Sequence, residues 1–319
     1  KAVLSVHKQV FGDDSNPVLL APTGRAARRM SEATGVTAHT IHSAIGYTGV
    51  PELDDRDGDF LDGNLFIIDE SSMMDQFIAS KLLSMIPSGA KAVFVGDPDQ
   101  LPSVGAGNVL REMIRSKSVP TTKLNVIFRQ AQDNPIVGNS LKINQGNTSL
   151  DFKNTFCFVE RDTAEETFRT ACSYYLKAVK KFGLDNVILL NPYRTKGLLC
   201  VNEFNRQLQH LVNPPVEEEE SIKIRNIEYR PRDLVMQTKN TEIAMNGDVG
   251  VIHEISNVPD PDDMTKWTFI ASIEFNGDGI RHDYTPEMMQ DLDLAYCTTV
   301  HKSQGSEYHT VIMVVSEEH

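Results

Sequence analysis

The sequence predicts an α/β fold of parallel sheets covered by helices, with a small β-barrel inserted in the second half of the chain. Short, uninterrupted apolar runs recur, and polar residues follow each of them. Segments with helical periodicity separate these runs, which is the pattern of parallel strands buried on both faces. Short strand-like segments with turn signals fill residues 222–289 and predict the barrel.

Length and composition bound the class of protein. The chain has 319 residues, of which 40% are apolar, enough for two or three separately cored domains. No stretch approaches the ~18 apolar residues of a spanning helix, and the first residues have a helical pattern unlike a signal peptide. We therefore expect a cytoplasmic protein with no membrane partner. The net charge of −13 argues against a surface that attracts phosphate everywhere, although it permits a local basic groove.

The four cysteines are far apart in the sequence, and no two have the short spacing of a zinc or redox motif. They predict neither a metal cluster nor a disulfide framework. We interpret them as buried apolar side chains.

Individual elements follow from the periodicity of apolar residues. Strands are predicted at residues 18–20, 65–68, 92–95, 187–190 and 311–315, and helices follow the first strand and cover residues 164–182 and 197–211. Residues 46–64 are polar and rich in Gly and Asp, which predicts a surface hairpin or loop.

Two acidic residues, Asp69 and Glu70, come directly after the second predicted strand. A nucleoside triphosphatase needs such a pair, because one carboxylate holds magnesium and the other polarises the attacking water. Taken alone, the pair fits helix capping equally well. The next predicted strand ends in Gly96, Asp97, Pro98, Asp99 and Gln100, which favours the functional interpretation over a simple Asp-Pro turn.

Several motifs in order resemble those of the RecD-like branch of superfamily 1B DNA helicases, which contains stand-alone RecD-like helicases and exodeoxyribonuclease V alpha subunits. The motifs are LAPTGRAARRM at 20–30, TIHS at 40–43, IIDESSM at 67–73, VGDPDQLPSV at 95–104, IFRQ at 127–130 and TVHKSQGSE at 299–307. The resemblance covers nearly the whole chain. It is more specific than any single motif.

The resemblance implies two RecA-like P-loop NTPase-type domains that use ATP and Mg²⁺ to move from 5′ to 3′ on single-stranded DNA, in DNA repair or recombination. It places the first domain at 1–118, with a strand-separating hairpin at about 46–64, the second at 119–221 and 290–319, and an SH3-like barrel at 222–289. Implied partners are single-stranded DNA, duplex junctions, and possible nuclease or repair subunits.

The resemblance also implies roles for individual residues. Asp69 would hold Mg²⁺ and, with Glu70, form the catalytic carboxylates; Gln100 would sense the γ-phosphate, and Arg129 would be the arginine finger. Asp97, Gly305 and Glu307 would contact the nucleotide. The residues implied to bind DNA are Pro22, Thr23, Gly24, Arg25, Thr40, His42, Arg194, Thr195, Thr299, His301 and Lys302.

Simpler interpretations compete with some of these roles. Arg28 and Arg29 fit a solvated helix face, Arg129 fits a surface salt bridge, and a lone histidine such as His42 is more often structural. The chain contains no Gly-Lys dipeptide, so the phosphate loop of the family is absent from it, as is the last arginine motif. We therefore expect a fragment that lacks useful ATPase activity of its own.

Two other functions stay open at this point. One is the ATPase subunit of a nuclease complex, which the motor motifs do not distinguish from a stand-alone helicase. The other is a non-catalytic DNA-binding scaffold, against which the combination of Asp69, Glu70, Gln100 and Arg129 argues.

Overall fold

The computed structural model describes residues 1–47, 59–124, 134–153, 155–217, 219–259 and 265–316. The chain divides into two compact units, Lys1–Glu160 and Arg161–His319. The predicted boundary between residues 118 and 119 lies inside the first unit, and the domain limits stay predictions.

A four-stranded parallel sheet forms the first unit, in the order β2-β1-β3-β4. Its strands are β1 (Pro17–Ala21), β2 (Ala38–Thr40), β3 (Leu65–Ile68) and β4 (Lys91–Phe94). The helices are α1 (Ala2–Phe11), α2 (Gly24–Thr34), α3 (Ile41–Ala44), α4 (Gln76–Met85), α5 (Val109–Ser116) and α6 (Pro135–Asn144).

The central strands of this sheet are buried on both faces. Leu20 of β1 and Ile68 of β3 have no exposed surface, as continuous apolar strands predict. The same prediction is wrong for β4, where Lys91 and Ala92 are exposed because this strand lies at the edge of the described sheet. Val95 follows the strand and is 45% exposed.

The second unit contains helices α7 (Ala164–Phe182) and α8 (Val201–Val212) and the remaining strands. These are β5 (Val187–Asn191), β6 (Ile222–Ile224), β7 (Ile227–Tyr229), β8 (Leu234–Gln237), β9 (Val249–Pro259), β10 (Trp267–Phe275), β11 (Arg281–Tyr284), β12 (Leu292–Leu294), β13 (Cys297–Thr299) and β14 (Thr310–Met313). The predicted bounds of α7 are confirmed. Helix α8 begins later than the predicted residue 197, because Gly197 has a left-handed backbone (φ 71°).

Two sheets share the core of this unit. Strands β13, β5 and β14 form a parallel sheet in that order, and β11-β10-β9-β8-β12 form an antiparallel sheet. The predicted combination of an α/β fold with an inserted β-rich element is confirmed. The antiparallel sheet extends to Leu294, past the predicted residue 289, because β12 pairs with β8. Strands β6 and β7 form a separate hairpin.

Burial tests the interpretation of the cysteines. Cys172, Cys200 and Cys297 are buried free thiols, which confirms it, but Cys157 is exposed. Within the described ranges, no group of three or more potential ligands could hold a metal ion, and no helix has the length and apolar character needed to cross a membrane. The predicted hairpin at 46–64 falls largely on residues 48–58, which lie outside the described residues.

Candidate active site

The carboxyl ends of all four strands of the first sheet meet at one edge. The register pairs Ala21 with Thr40, Leu20 with Ile68, and Ile68 with Phe94. The chain passes from β1 to β2 on one side and then returns to β3 on the other, so the strand order reverses beside β1. Ligands of open α/β sheets bind outside the carboxyl ends at such a reversal.

Asp69 and Glu70 occupy a rigid turn at this edge. The Asp69 amide donates to the Leu20 carbonyl at 2.9 Å, and the Glu70 amide donates to Asp69 Oδ1 at 2.9 Å. The next residue, Ser71, donates its amide to the Val95 carbonyl and its hydroxyl to the Ile68 carbonyl. Glu70 itself has a left-handed backbone (φ 49°), which is uncommon outside glycine and is found often at functional sites.

The electrostatic environment distinguishes Glu70 from an ordinary surface acid. Partial burial raises the pKa of its carboxyl group, and the neighbouring charges of Asp69 and Asp97 raise that pKa further. Arg29 on α2 opposes the shift. Glu70 therefore keeps its proton to a higher pH than a free glutamate, as expected of an acid or base in a catalytic site.

From the sequence, a solvated helix face is one of the alternatives for Arg29. Its side chain is exposed, yet it is the cation that acts on Glu70. The sequence carried one usable signal: Arg29 is on the helix that begins at the end of β1, next to the strand that carries the acids.

The turn after β4 holds Asp97 and Gln100. Asp97 accepts the Asp99 amide through Oδ1 at 2.9 Å and the Gln100 amide through its carbonyl at 3.2 Å. Arg111 on α5 donates to the Pro98 carbonyl at 3.0 Å and so fixes the turn from outside. The competing Asp-Pro turn is therefore present, and the exposed Gln100 side chain extends from it.

Gly96 joins the two acidic turns because it leaves no room for a side chain. A Cβ atom there would lie 3.0 Å from the Ser71 amide nitrogen, 3.1 Å from that of Ser72 and 2.9 Å from Leu110 Cδ2. Two of these neighbours are backbone atoms of the turn that carries Glu70, so they cannot move without displacing it. Gly96 thus sets the distance between Asp97 and Glu70.

If these acids serve the ATP hydrolysis that the sequence predicts, Gly96→Ala should lower the ATP turnover of the complete protein by about tenfold, because a displacement of catalytic groups by about 1 Å can cost on the order of 10²-fold. Gly138→Ala is the matched control, since a Cβ at Gly138 meets nothing within 4 Å. The measurement is steady-state hydrolysis at saturating ATP. Equal turnover by the two variants would contradict this role for Gly96.

Two threonines begin helices at the same edge. Thr23 caps α2 by accepting the Ala26 amide at 3.2 Å, and Thr40 caps α3 by accepting the Ser43 amide at 3.1 Å. Neither hydroxyl donates to another described residue, so both protons are available to a ligand acceptor. Pro22 precedes the first cap, and Gly24 is the first residue of α2. A helix N-terminus of this kind favours anions.

Arg25 and His42 lie close to these caps. Arg25 is half-buried in the first turn of α2. Burial lowers the pKa of His42, and the charge of Asp75 opposes the shift. The ring of His42 lies 5.4 Å from that of Tyr47. His42 is therefore an uncharged, packed side chain at neutral pH, suited to a hydrogen bond more than to charge neutralisation.

In the second unit, the predicted DNA-contacting residues gather around one acid. Arg194 donates to Asp293 Oδ1 at 3.1 Å and to Oδ2 at 2.8 Å, and Lys302 Nζ lies 3.5 Å from the same Oδ2. Thr299 accepts the Lys302 amide at 3.3 Å and is the register partner of Asn191. The sequence did not indicate Asp293, because it is 99 residues from Arg194.

The remaining predicted residues are placed less closely. Thr195 and His301 are exposed in the same unit, and Gly305 and Glu307 lie between β13 and β14, where Gly305 has a left-handed backbone (φ 72°). Arg129 lies outside the described residues, and its role stays a prediction.

Comparison with known proteins identifies the family. Residues 2–161 match the family model described as an AAA domain, and residues 204–267 match the SH3 domain of ATP-dependent RecD-like DNA helicases. The chain belongs to the RecD-like helicase family. It is 34% identical to the ATP-dependent RecD2 DNA helicase of Deinococcus radiodurans over an alignment of 303 residues. This alignment covers 94% of the chain and 39% of that protein.

Another relative of this RecD-like chain is the RecBCD enzyme subunit RecD of Mycolicibacterium smegmatis, which is 25% identical over 99% of the chain and 60% of the relative. The chain thus spans from about two fifths to three fifths of the length of these proteins. Two solved Pif1 helicase structures share the fold, with TM-scores of 0.52 and 0.55 at 19% identity. One is a Bacteroides Pif1 with ADP-AlF3 and single-stranded DNA, and the other shows two Pif1 helicases at forked duplex DNA. These two cover 98% and 99% of the chain and 80% and 79% of the Pif1 chains.

Proposed function

We propose that this chain is the motor core of an ATP-dependent DNA helicase that moves from 5′ to 3′ on single-stranded DNA. The observation that carries the proposal is the environment of Glu70. Its carboxyl group is half-buried at the carboxyl edge of a parallel sheet, its pKa is raised, and two further acids adjoin it. A scaffold that only binds DNA has no need for an acid in this environment.

Glu70 has the properties of a general base for hydrolysis. In the proposed reaction the attacking water gives a proton to the Glu70 carboxylate, and the oxygen of that water bonds to the γ-phosphorus of ATP. The bond between the γ-phosphorus and the leaving oxygen of ADP then breaks. The hydrogen bond from the Glu70 amide to Asp69 and the two bonds made by Ser71 fix the backbone of the turn that carries this side chain. Gln100, on the turn after β4, would contact the γ-phosphate.

The acidic set fits magnesium. Asp69 and Asp97 are carboxylates, the ligand type that Mg²⁺ prefers, and among the described residues Arg29 is the cation whose charge lowers the pKa of Glu70. A magnesium ion bound with a nucleotide usually takes only one or two protein carboxylates. Asp69 would hold the ion, which would neutralise phosphate charge.

The proposed strand-binding residues lie in both units. In the first, the caps formed by Thr23 and Thr40 offer hydroxyl protons, and the N-terminus of α2 offers amides to a phosphate. In the second, Arg194 and Lys302 add positive charge. The names of the relatives, which include an ATP-dependent DNA helicase, support the same substrate class.

Strand displacement by the complete protein that carries this sequence tests the proposal. With ATP and Mg²⁺, we expect it to unwind a duplex with a 5′ single-stranded tail and to leave a duplex with only a 3′ tail largely intact. A blunt duplex controls for tail-independent melting. Preference for the 3′ tail would refute the direction, and no ATP-dependent unwinding of any substrate would refute the helicase function.

A second candidate is the ATPase subunit of an exodeoxyribonuclease V-type complex. The RecD subunit of RecBCD from Mycolicibacterium smegmatis aligns with 99% of the chain, which favours it. Purification of the complete protein from its native cells distinguishes the two functions. Co-purification of ATP-dependent nuclease activity in constant ratio would favour the subunit, whereas a helicase free of nuclease would favour the stand-alone motor.

A further inference from the structure

A wide cleft in the second unit carries a charge opposite to that of the chain. It has a volume of about 1100 Å³ and lies between α8, the β6–β7 hairpin and the ends of β12 and β13. Six of the residues that line it are lysine or arginine and three are acidic. The six cations are Arg194, Arg206, Lys223, Arg225, Arg230 and Lys302. The cleft is thus positive within a chain of net charge −13.

Each acid in the cleft already has a partner. Glu203 binds Arg206 at 2.6 Å, and Asp293 binds Arg194 at 2.8 Å. Glu228 accepts Arg230 at 2.6 Å through one oxygen and Ser221 at 3.0 Å through the other. Each of the three carboxylates in the cleft therefore already has an arginine as its partner.

Lys223 and Arg225 supply the excess positive charge. Both side chains are exposed on the β6–β7 hairpin, and neither lies within 4.0 Å of a described carboxylate oxygen, although the charge of Lys223 acts at longer range on its register partner Glu228. Arg225 has a left-handed backbone (φ 54°) at the tip of the hairpin, a conformation that favours glycine or asparagine. An arginine at that position places a permanent charge at the tip.

The described acidic residues before the hairpin do not line the cleft. None of Glu217, Glu219 and Glu220 lines it, although they directly precede the hairpin. Glu219 instead binds Arg232 through both carboxylate oxygens, at 2.6 Å each.

The shape and lining of the cleft favour a chain of phosphates. Its volume of about 1100 Å³ exceeds the roughly 300–1,000 Å³ range of small-molecule sites, and those sites are mainly apolar. The cations come from several separate elements, so one compact anion would leave some of them without a contact. Among the described residues, no Phe, Tyr or Trp lines the cleft, which indicates contact with a phosphate backbone more than stacking of bases.

We propose that this cleft binds the phosphate backbone of single-stranded nucleic acid and that Lys223 and Arg225 are phosphate contacts. The inference rests on the proposed function, since it extends the strand path from Arg194 and Lys302 onto the hairpin and α8. It assigns a binding role to the hairpin, which the sequence motifs do not cover.

The test measures binding of fluorescein-labelled oligothymidylate to the complete protein by anisotropy over a range of salt concentrations. The variant is Lys223→Gln with Arg225→Gln. Each phosphate contact on a single strand contributes about −0.7 to the slope of log K against log salt, so losing two makes the slope shallower by about 1.4. At low salt we expect affinity to fall by about tenfold or more.

Two further variants make the result specific. Lys177→Gln with Lys180→Gln removes the same charge from exposed positions on α7, outside the cleft, and should leave the slope unchanged. Lys223→Arg with Arg225→Lys keeps the hairpin charge and should restore wild-type binding. Thermal unfolding of each variant checks that the fold is intact.

A wild-type slope in the glutamine variant, or an equal loss in the α7 control, would overturn the proposal. The proposal would also be overturned if the glutamine variant lost binding to labelled poly-L-glutamate but kept binding to oligothymidylate. That result would indicate an acidic protein partner. Strand displacement distinguishes failure of this inference from failure of the proposed helicase function. If the wild type unwinds DNA and the glutamine variant keeps the wild-type salt slope, only the role of the hairpin is refuted. If the wild type does not bind oligothymidylate at all, both the role of the hairpin and the proposed helicase function are refuted.

Discussion

Glu70→Gln is expected to reduce the maximal rate of ATP hydrolysis by the complete protein by on the order of 10²- to 10⁴-fold, the usual contribution of a general base. Glutamine keeps the size of the side chain and its hydrogen-bonding oxygen but accepts no proton. Nucleotide affinity should change little, because substrate binding does not need that proton transfer. Glu112→Gln on α5 is the control, since Glu112 is an exposed acid in a surface pair with Arg115.

The pH dependence of the same variant checks the assignment. Since the pKa of Glu70 is raised, the base form is lost as pH falls through a value above that of an ordinary glutamate. The acidic limb of the wild-type rate profile should lie at that higher pH and be absent in the variant. A raised pKa also means that ionisation of Glu70 costs stability as pH rises, so the variant should unfold at an equal or higher urea concentration at neutral pH. A less stable variant, or one with wild-type turnover, would contradict the assignment.

Asp233→Ala is expected to destabilise the second unit by about 3 kcal/mol or more. The Asp233 carboxylate is fully buried and accepts four hydrogen bonds, each from a different donor. The donors are the Tyr296 hydroxyl at 2.7 Å, Asn213 Nδ2 at 2.7 Å, Gln209 Nε2 at 2.6 Å and the Arg230 amide at 2.8 Å. Alanine removes the acceptor of the Tyr296 hydroxyl and of the Arg230 amide. It also removes one of the two acceptors of Gln209 Nε2 and of Asn213 Nδ2, which keep the Glu228 and Pro231 carbonyls. Each buried N–H or O–H group that is left without an acceptor costs about 1–3 kcal/mol.

Equilibrium urea unfolding measures this effect, with the exposed Asp185→Ala as the control. Asp233→Asn should also destabilise, because its amide group would face two donors. Burial raises the pKa of Asp233 despite these bonds, so wild-type stability should decline as pH rises through that pKa. The asparagine variant lacks this decline, and its deficit relative to the wild type should narrow with rising pH. A loss below 1 kcal/mol for Asp233→Ala would contradict this account of the core.

The sequence predicted elements where one physical signal was enough. Continuous apolar runs identified the buried strands, and the side chains after them were expected at one sheet edge, where Asp69 and Asp97 do lie together. The α7 bounds followed from a long amphipathic period. The edge strand β4 was predicted less well, because an apolar run does not show whether a strand has neighbours on both sides.

Features that depend on contacts between residues distant in the sequence could not be predicted from the sequence. The Asp293 contact with Arg194 and the four donors of Asp233 join residues from different elements, and no local pattern marks them. The basic cleft was hidden in the same way, because its cations are spread over residues 194–302 in an acidic chain. The effect of Gly96 on the Glu70 turn required the positions of backbone atoms.

ATP hydrolysis by the complete protein, measured with increasing single-stranded DNA in the presence of Mg²⁺, tests the central claim most directly. If the acids at the carboxyl edge of the first sheet serve a DNA motor, turnover rises with DNA concentration and saturates. Turnover that is absent, or is the same with and without DNA, would contradict the claim.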